Sequence, residues 1–501
     1  MPIQPRTSNH RRNALDTIDT ELLLARPGSA PATGPHRIEI NAEGRIAAIG
    51  PGGSDGSDTD DDPIGQGVAT LPPLTDAHDH GRGIRTLAFG ALDEPLESWI
   101  LDLMHEPVVP PYLRALVSFA RMAEGGVAAA NHCHNPQSAD VIAEAKAVSD
   151  AARTVGIRIA FAVPILDQNP ITYDDPTPLL ETVPPAVRKA LVDRRDRVVP
   201  ADEQLAWVDE IANFEHDCFE VQYGPRGAQW VSEQTWGKIA DASARTGRRV
   251  HMHLMETERQ KRWAAQTHPG GAIRWLDQLG VLSTRLTGAH GIWLDEADIE
   301  RMADRGVTVS INPSSNLRLK SGVAAVNAFM RHGLRFGLGL DSMAFDDDED
   351  ILRELRLLYR LHRDPNWGMQ DQLSLGRAWH AAAVDGRRTV VRDSEAPPLT
   401  PGALADFMLL DWAAISADAM PDAAAPIHLI TARMTKRHLK RLVVGGRTIV
   451  EDGAVQTVDL PAAAAELTAI ARHAWENGPK NRRPMRDALT HAICHHCTGS
   501  T

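Results

Sequence analysis

Cysteine is scarce in this chain: Cys133, Cys218, Cys494 and Cys497 are four among 501 residues. That is too few for a disulfide framework at this size, and it points to a reducing compartment. Positive charge is also in deficit. The formal net charge of −13 argues against nucleic acid and anionic membranes as partners. No apolar run is long enough to span a bilayer. The polar N-terminus lacks the apolar core of a signal peptide, and no internal repeat is found. What remains is a globular composition, 43% hydrophobic and 24% charged, in a chain long enough for more than one domain. A soluble cytoplasmic protein is expected.

Residues 1–18 are polar and basic, the composition of a disordered tail. Short strands with turn signals follow from Glu21, and the same rhythm returns after about Arg387. There Gly445-Gly446 marks a two-residue hairpin. Between these ends the pattern changes. Apolar strands at Leu71–His80, Val127–Cys133, Arg158–Ile165, Cys218–Pro225, Arg249–Leu254, Arg285–His290, Val307–Pro313 and Arg335–Asp341 alternate with helical segments. Eight strands with intervening helices predict an α/β fold, a (β/α)₈ TIM-type barrel. Residues 19–69 and 388–460 then form one small composite β-sandwich, with the barrel at 70–387 inserted. The piece from Leu166 to Phe214 reads as an insertion with short helices over the barrel mouth. Residues 461–501 supply an Ala-rich helix and a tail.

The chain is organised around Ala77-His78-Asp79-His80. Two histidines one residue apart on a strand point to the same face, so one strand can deliver two imidazoles to one metal ion. In a barrel of this kind the chemistry sits at the C-terminal strand ends. The fifth predicted strand runs into Val250-His251-Met252-His253-Leu254-Met255-Glu256-Thr257, the sixth ends at His290, and the eighth at Asp341. Imidazoles with a carboxylate form a plausible shell for Zn²⁺ or Fe²⁺.

This pattern resembles the amidohydrolase superfamily. The resemblance extends to the aminohydrolase and chlorohydrolase branch, which includes cytosine, guanine and S-adenosylhomocysteine deaminases and triazine hydrolases. It is carried by His253-Leu254-Met255-Glu256-Thr257, by Ala289-His290-Gly291-Ile292-Trp293-Leu294, and by Asn312-Pro313-Ser314-Ser315-Asn316-Leu317-Arg318-Leu319-Lys320-Ser321-Gly322. The resemblance implies one divalent metal per chain, Zn²⁺ before Fe²⁺, held by His78, His80, His253 and Asp341. Glu256 and His290 would be catalytic, with Asp341 sharing in proton transfer. It selects His253 over His251 because only His253 has a glutamate three residues on. His251 remains open as a supporting or pocket residue. Binuclear members carry a carboxylated lysine on strand 4; Cys218–Pro225 has none, which favours one metal.

The implied function is hydrolysis of a C–N bond of a nitrogen heterocycle, a deamination. A metal ion brings the pKa of water from 15.7 to about 7 and so supplies hydroxide at neutral pH. The alternatives are release of halide or alkylamine by the same site, or a catalytically inactive barrel scaffold. A small N-heterocyclic substrate and a homodimer are what the resemblance implies about partners. The chain departs from the family after strand 4, where a histidine is usual and Gly224-Pro225-Arg226-Gly227-Ala228-Gln229 stands instead. Arg226 and Gln229 are therefore candidate substrate contacts, suited to a polar substrate with acceptor groups.

Other motifs are less specific. Asn131-His132-Cys133-His134 suits a second metal site, a purely structural role, or a pocket-lining histidine, for which His132 is the candidate. Asp346 to Asp350 reads as the opening of a helix. Asn316 and Ser321 read as loop-shaping residues. Cys494-His495-His496-Cys497 lacks the partner pair of a closed zinc site and reads as an adventitious metal-binding tail.

Overall fold

The computed structural model describes residues 16–52, 65–168, 172–342, 347–363, 373–392, 399–478 and 486–491. Its centre is a single sheet of eight consecutive parallel strands. In chain order the barrel strands are Leu74–Asp79, Val127–Cys133, Arg158–Ile165, Phe219–Pro225, Val250–Leu254, Leu286–His290, Thr308–Ile311 and Arg335–Leu338. The first and eighth meet where Asp341 N–H donates to the His78 carbonyl at 2.9 Å and Leu340 N–H to the Asp76 carboxylate at 3.0 Å. The strands are rich in Val, Ile and Ala and are buried almost throughout, as parallel strands covered on both faces must be. Amphipathic helices such as Pro111–Glu124 and Glu233–Thr246 cover the outside.

Strands from both chain ends build the remaining sheets. Asp16–Thr20, His36–Ile40 and Ile46–Pro51 form one. The other combines Leu22–Leu23 and Val68–Leu71 with Phe407–Asp411, Leu439–Val444, Arg447–Glu451 and Ala454–Val455. Ile18, Ile38 and Ile46 share a core with Phe407, Leu409 and Val443. The predicted hairpin is present: Gly445 and Gly446 both take positive φ, 56° and 72°, which the tight turn requires.

Two expectations change. The run Leu71–His80 is not one strand. Pro72 and Pro73 offer no N–H to a ladder, and the chain divides there. Val68–Leu71 pairs antiparallel with Phe407–Asp411 in the outer sheet, and only Leu74–Asp79 enters the barrel. At the N-terminus, Asp16 to Ile18 fall in the range assigned to a loose tail, yet they pair with Ile40 to Ile38. The insertion after the third barrel strand carries the helices Thr177–Thr182, Pro185–Arg195 and Ala201–Ile211. Asp350 caps the helix Ile351–Leu361 by accepting from Leu352 N–H; Asp346, expected in the same opening, lies outside the described residues.

That helix carries a buried acid with a testable consequence. Glu354 accepts from Ser314 N–H at 2.6 Å, while its other oxygen is buried without a hydrogen-bond partner among the described residues. Burial pushes its carboxyl up to about 8. The folded chain thus binds this proton more tightly than the unfolded chain. The stabilisation is complete below the ordinary glutamate range and is lost as pH rises toward 8, at up to about 1.4 kcal/mol per pH unit. The thermal unfolding midpoint of the wild type should therefore fall between pH 5 and 8 more steeply than that of Glu354→Gln. Parallel midpoint curves would show that Glu354 does not titrate in this window.

Candidate active site

The C-terminal strand ends bring the predicted polar residues together. His78 lies on the first barrel strand and His80 one residue beyond it; His253 is on the fifth, His290 ends the sixth, and Asp341 follows the eighth. Nε2 of His78 and of His80 lie 3.1 and 3.2 Å from Asp341 Oδ1. Nε2 of His253 lies 3.3 Å from Nε2 of His80. Each of these rings has its other nitrogen engaged: His80 Nδ1 on the Cys133 carbonyl at 2.9 Å, His253 Nδ1 on the Arg226 carbonyl at 2.9 Å, and His78 Nδ1 on His251 Nε2 at 2.7 Å. Donation to the two carbonyls fixes the tautomers, so that the Nε2 lone pairs face one another.

Burial pushes His78 down to about 4 and holds His253 well below the usual imidazole range. Burial by itself would raise Asp341, but the imidazoles of His78 and His80 outweigh it and hold the carboxyl well below its usual range. The result is three neutral imidazoles and one carboxylate. Their spacing suits a divalent cation, because tetrahedral ligands at about 2.0–2.2 Å sit about 3.3–3.6 Å apart. Nε2 of His78 is buried with no hydrogen-bond partner among the described residues. An uncompensated polar atom there is costly, and a cation would satisfy it. His251, which the spacing left open, is occupied as the partner of His78.

Glu256 and His290 stand beside this cluster. Their nearest approach is 3.7 Å, from Glu256 Oε2 to His290 Nε2, which also lies 3.9 Å from Asp341 Oδ2. His290 Nδ1 donates to Asn316 Oδ1 at 2.9 Å, so Nε2 faces the cavity as the acceptor when the ring is neutral. Burial pushes Glu256 up to about 7, with Asp341 adding to the effect and His290 opposing it. Its Oε1 is buried with no hydrogen-bond partner among the described residues. A carboxyl poised near neutrality is suited to taking and giving protons.

The backbone here is strained. Met255, His290, Asp341 and Ser342 all have positive φ, between 47° and 75°, a conformation that costs a non-glycine residue about 1–3 kcal/mol. Bonds across the strand ends hold it: Gly291 N–H donates to the Leu254 carbonyl and Trp293 N–H to the Met255 carbonyl, both at 2.9 Å. Gly339 is required by close approach, since a methyl group there would come 2.2 Å from Asn312 Oδ1.

A cavity of about 400 Å³ opens over these groups, within the usual range for small-molecule sites. His80, His253, Glu256, His290 and Asp341 line its polar end, together with Arg226. An apolar wall is given by Leu96, Trp99, Ile100 and Leu319, of which Leu96, Trp99 and Leu319 pack together. Glu97 fixes that wall, accepting from Tyr173 Oη, Thr257 Oγ1 and Arg259 Nη1 at 2.8–2.9 Å.

His132 and Gln229 are buried outside this lining. His132 Nε2 contacts His134 Nδ1 at 3.1 Å, and His134 pairs with Glu144 at 2.9 Å. That chain of contacts belongs to the packing behind the site. Cys494 and Cys497 lie outside the described residues.

Sequence reasoning missed several participants. Ser315 Oγ donates to Asp341 Oδ2 at 2.6 Å. Asp76 and Asp79 accept from Leu340 and Ser342 N–H and so tie the first strand to the eighth. Arg82, two residues after His80, lines the cavity and pairs with Glu106, which also holds Arg114. The close sequence of Arg82 to His80 was the available signal.

A parallel barrel whose C-terminal mouth gathers imidazoles, a carboxylate and a buried glutamate defines the class of barrel hydrolases that act around a divalent metal. Within that class, the chain belongs to the amidohydrolase family, which its sequence matches over residues 70–449. It is similar to a 5'-deoxyadenosine deaminase of Methanothermobacter thermautotrophicus, 25% identical over 90% of this chain and 100% of that one. Its fold is shared with an adenosine deaminase of Xanthomonas campestris solved with bound zinc, at 21% identity and a TM-score of 0.74. That match covers 91% of this chain and 98% of the other. It is likewise shared with an atrazine chlorohydrolase of Arthrobacter aurescens complexed with zinc, at 21% identity and a TM-score of 0.75, over 91% and 99% of the two chains.

Proposed function

We propose that this chain is a metal-dependent deaminase that removes an exocyclic amino group, as ammonia, from a nitrogen heterocycle of adenine-nucleoside type. The observation that carries the reading is the position of Glu256 and His290 beside the cluster of His78, His80, His253 and Asp341, all but the fully buried His78 lining one cavity. His78, His80, His253 and Asp341 would hold the cation, Zn²⁺ by preference for three imidazoles and a carboxylate. When bound, it would act as a Lewis acid and bring the pKa of water near 7. Glu256 takes one proton of the attacking water and delivers it to the ring nitrogen; it then takes the second, from the hydroxyl formed on the ring carbon, and gives it to the amine, which leaves as ammonia as the ring C=O forms. His290 orients the water and stabilises the developing oxyanion. Trp99 and Leu96 pack on the flat ring, and Arg226 meets a ring nitrogen or carbonyl acceptor. A cytoplasmic location and a homodimer belong to the same reading and rest on composition and family resemblance.

The deciding experiment is a screen of aminated purines, purine nucleosides, pyrimidines, pterins and triazines with metal-loaded protein, read by ammonia release. Turnover of an adenine nucleoside is the expected result. Release of chloride or alkylamine from triazines without any ammonia release would overturn the assignment of the leaving group.

A further inference from the structure

A basic concavity lies at the other end of the barrel. A cleft of about 820 Å³ opens at the N-terminal ends of the third and fourth barrel strands, beneath the hairpin of the outer sheet. Arg45, Arg153, Arg158, Arg387, Arg392 and Arg447 line it. Only three carboxylates, Glu43, Asp217 and Glu220, share that lining. Such an excess of positive charge is not inherited from composition, since the chain carries a formal net charge of −13.

Structural pairing accounts for part of the cluster. Buried Asp406 holds both Arg158 and Arg387. Glu220 pairs with Arg392 at 3.3 Å and is shared with Arg249. These arginines fasten the outer sheet to the barrel. The remaining three are not neutralised in this way. Arg45 donates to the Gly402 carbonyl at 2.9 Å. Arg153 and Arg447 are exposed and make no ion pair among the described residues. Arg447 leans over the C-terminal end of the helix Val141–Val155: a methyl group on Gly156 would come 3.0 Å from its Nη2. Arg153 stands in the last turn of the same helix. The helix end carries about half a negative charge, too little to balance two guanidinium groups.

We propose that this cleft is a binding site for a small phosphate-bearing molecule, distinct from the catalytic mouth. Arginine presents a planar fork of donors that matches phosphate oxygens. A concave lining with an excess of arginine over carboxylate focuses the field and draws anions in despite the negative charge of the whole protein. Its volume is that of a small-molecule site. Ile159, Val390 and Leu404 give the cleft an apolar floor, which suits an organic portion attached to the phosphates. Arg153, Arg447 and Arg45 contact the phosphates, and Arg158 and Arg387 form the fixed background.

The test is isothermal titration of the metal-loaded, full-length protein with inorganic pyrophosphate and separately with ATP. Wild type and the double variant Arg153→Gln/Arg447→Gln are compared, with unfolding midpoints to confirm that both are folded. One-to-one binding weakened at least about tenfold in the double variant is expected, because hydrogen bonds to charged groups are worth that factor or more each. Glu43→Gln should tighten it. Equal binding of the two probes means that the phosphate chain suffices, and tighter binding of ATP means that the floor contributes; both support the site. No saturable binding of either probe overturns the proposal. So does binding that the double variant leaves unchanged, which would place the anion at the catalytic mouth.

Discussion

Replacing Glu256 by glutamine is expected to leave the metal content unchanged and to lower turnover at least about a hundredfold, the low end of what general acid–base catalysis supplies. Glutamine keeps the size of the side chain, so the packing beneath the cavity is preserved. It lacks a carboxyl that can exchange a proton. In the native chain that carboxyl is buried and pushed up to about 7. It stands 3.7 Å from His290 Nε2 and leaves Oε1 unpartnered among the described residues. Both features suit a group that meets the substrate and carries a proton. Metal analysis and steady-state kinetics on the same sample decide the matter. A metal-loaded variant with near-normal turnover would remove Glu256 from the chemistry.

Much of this site was legible because its determinants are local. A strand alternates its side chains with a period of two, so His78-Asp79-His80 and His251-Met252-His253 each announced a shared face. The fold places polar groups at C-terminal strand ends, and His290 and Asp341 stand directly after Gly288-Ala289 and Gly339-Leu340. The apolar wall was not legible. Trp99 lies on the short helix Leu96–Asp102, where Leu96, Trp99 and Ile100 mark an apolar face without saying what that face meets. That helix is set in place by Glu97 binding Thr257 and Arg259, about 160 residues away. Such an anchor leaves no mark on its neighbours in sequence. The left-handed backbone at His290 and Asp341 was equally silent, since neither is a glycine. Gln229 follows Arg226 by three residues, but on the turn Ala228–Trp230 it is Trp230 that lines the cavity with Arg226, and Gln229 is buried outside that lining.

The histidine pair on the fifth barrel strand sets the second large effect. His251 and His253 share a face, and spacing alone gives them equal claims on a metal. The structure separates them by what each nitrogen touches. Both nitrogens of His253 have definite surroundings: Nδ1 is fixed by the Arg226 carbonyl, and Nε2 faces His80 at 3.3 Å. Nε2 of His251 is taken up by His78 Nδ1 at 2.7 Å, and its own Nδ1 is buried without a partner among the described residues. His251 therefore has no free lone pair directed at the cluster, and its effect passes through the orientation of His78. His253→Ala should reduce the metal content from about one ion per chain to near zero, the result for loss of a ligand from a four-donor site. His251→Ala should still bind one ion, with affinity weakened about 10–100-fold, as for residues that hold a ligand in place. Metal titration of the chelator-stripped proteins, followed by competition with a chromophoric chelator, reads both numbers without reference to any substrate. Full occupancy in His253→Ala together with an empty His251→Ala would reverse the two roles.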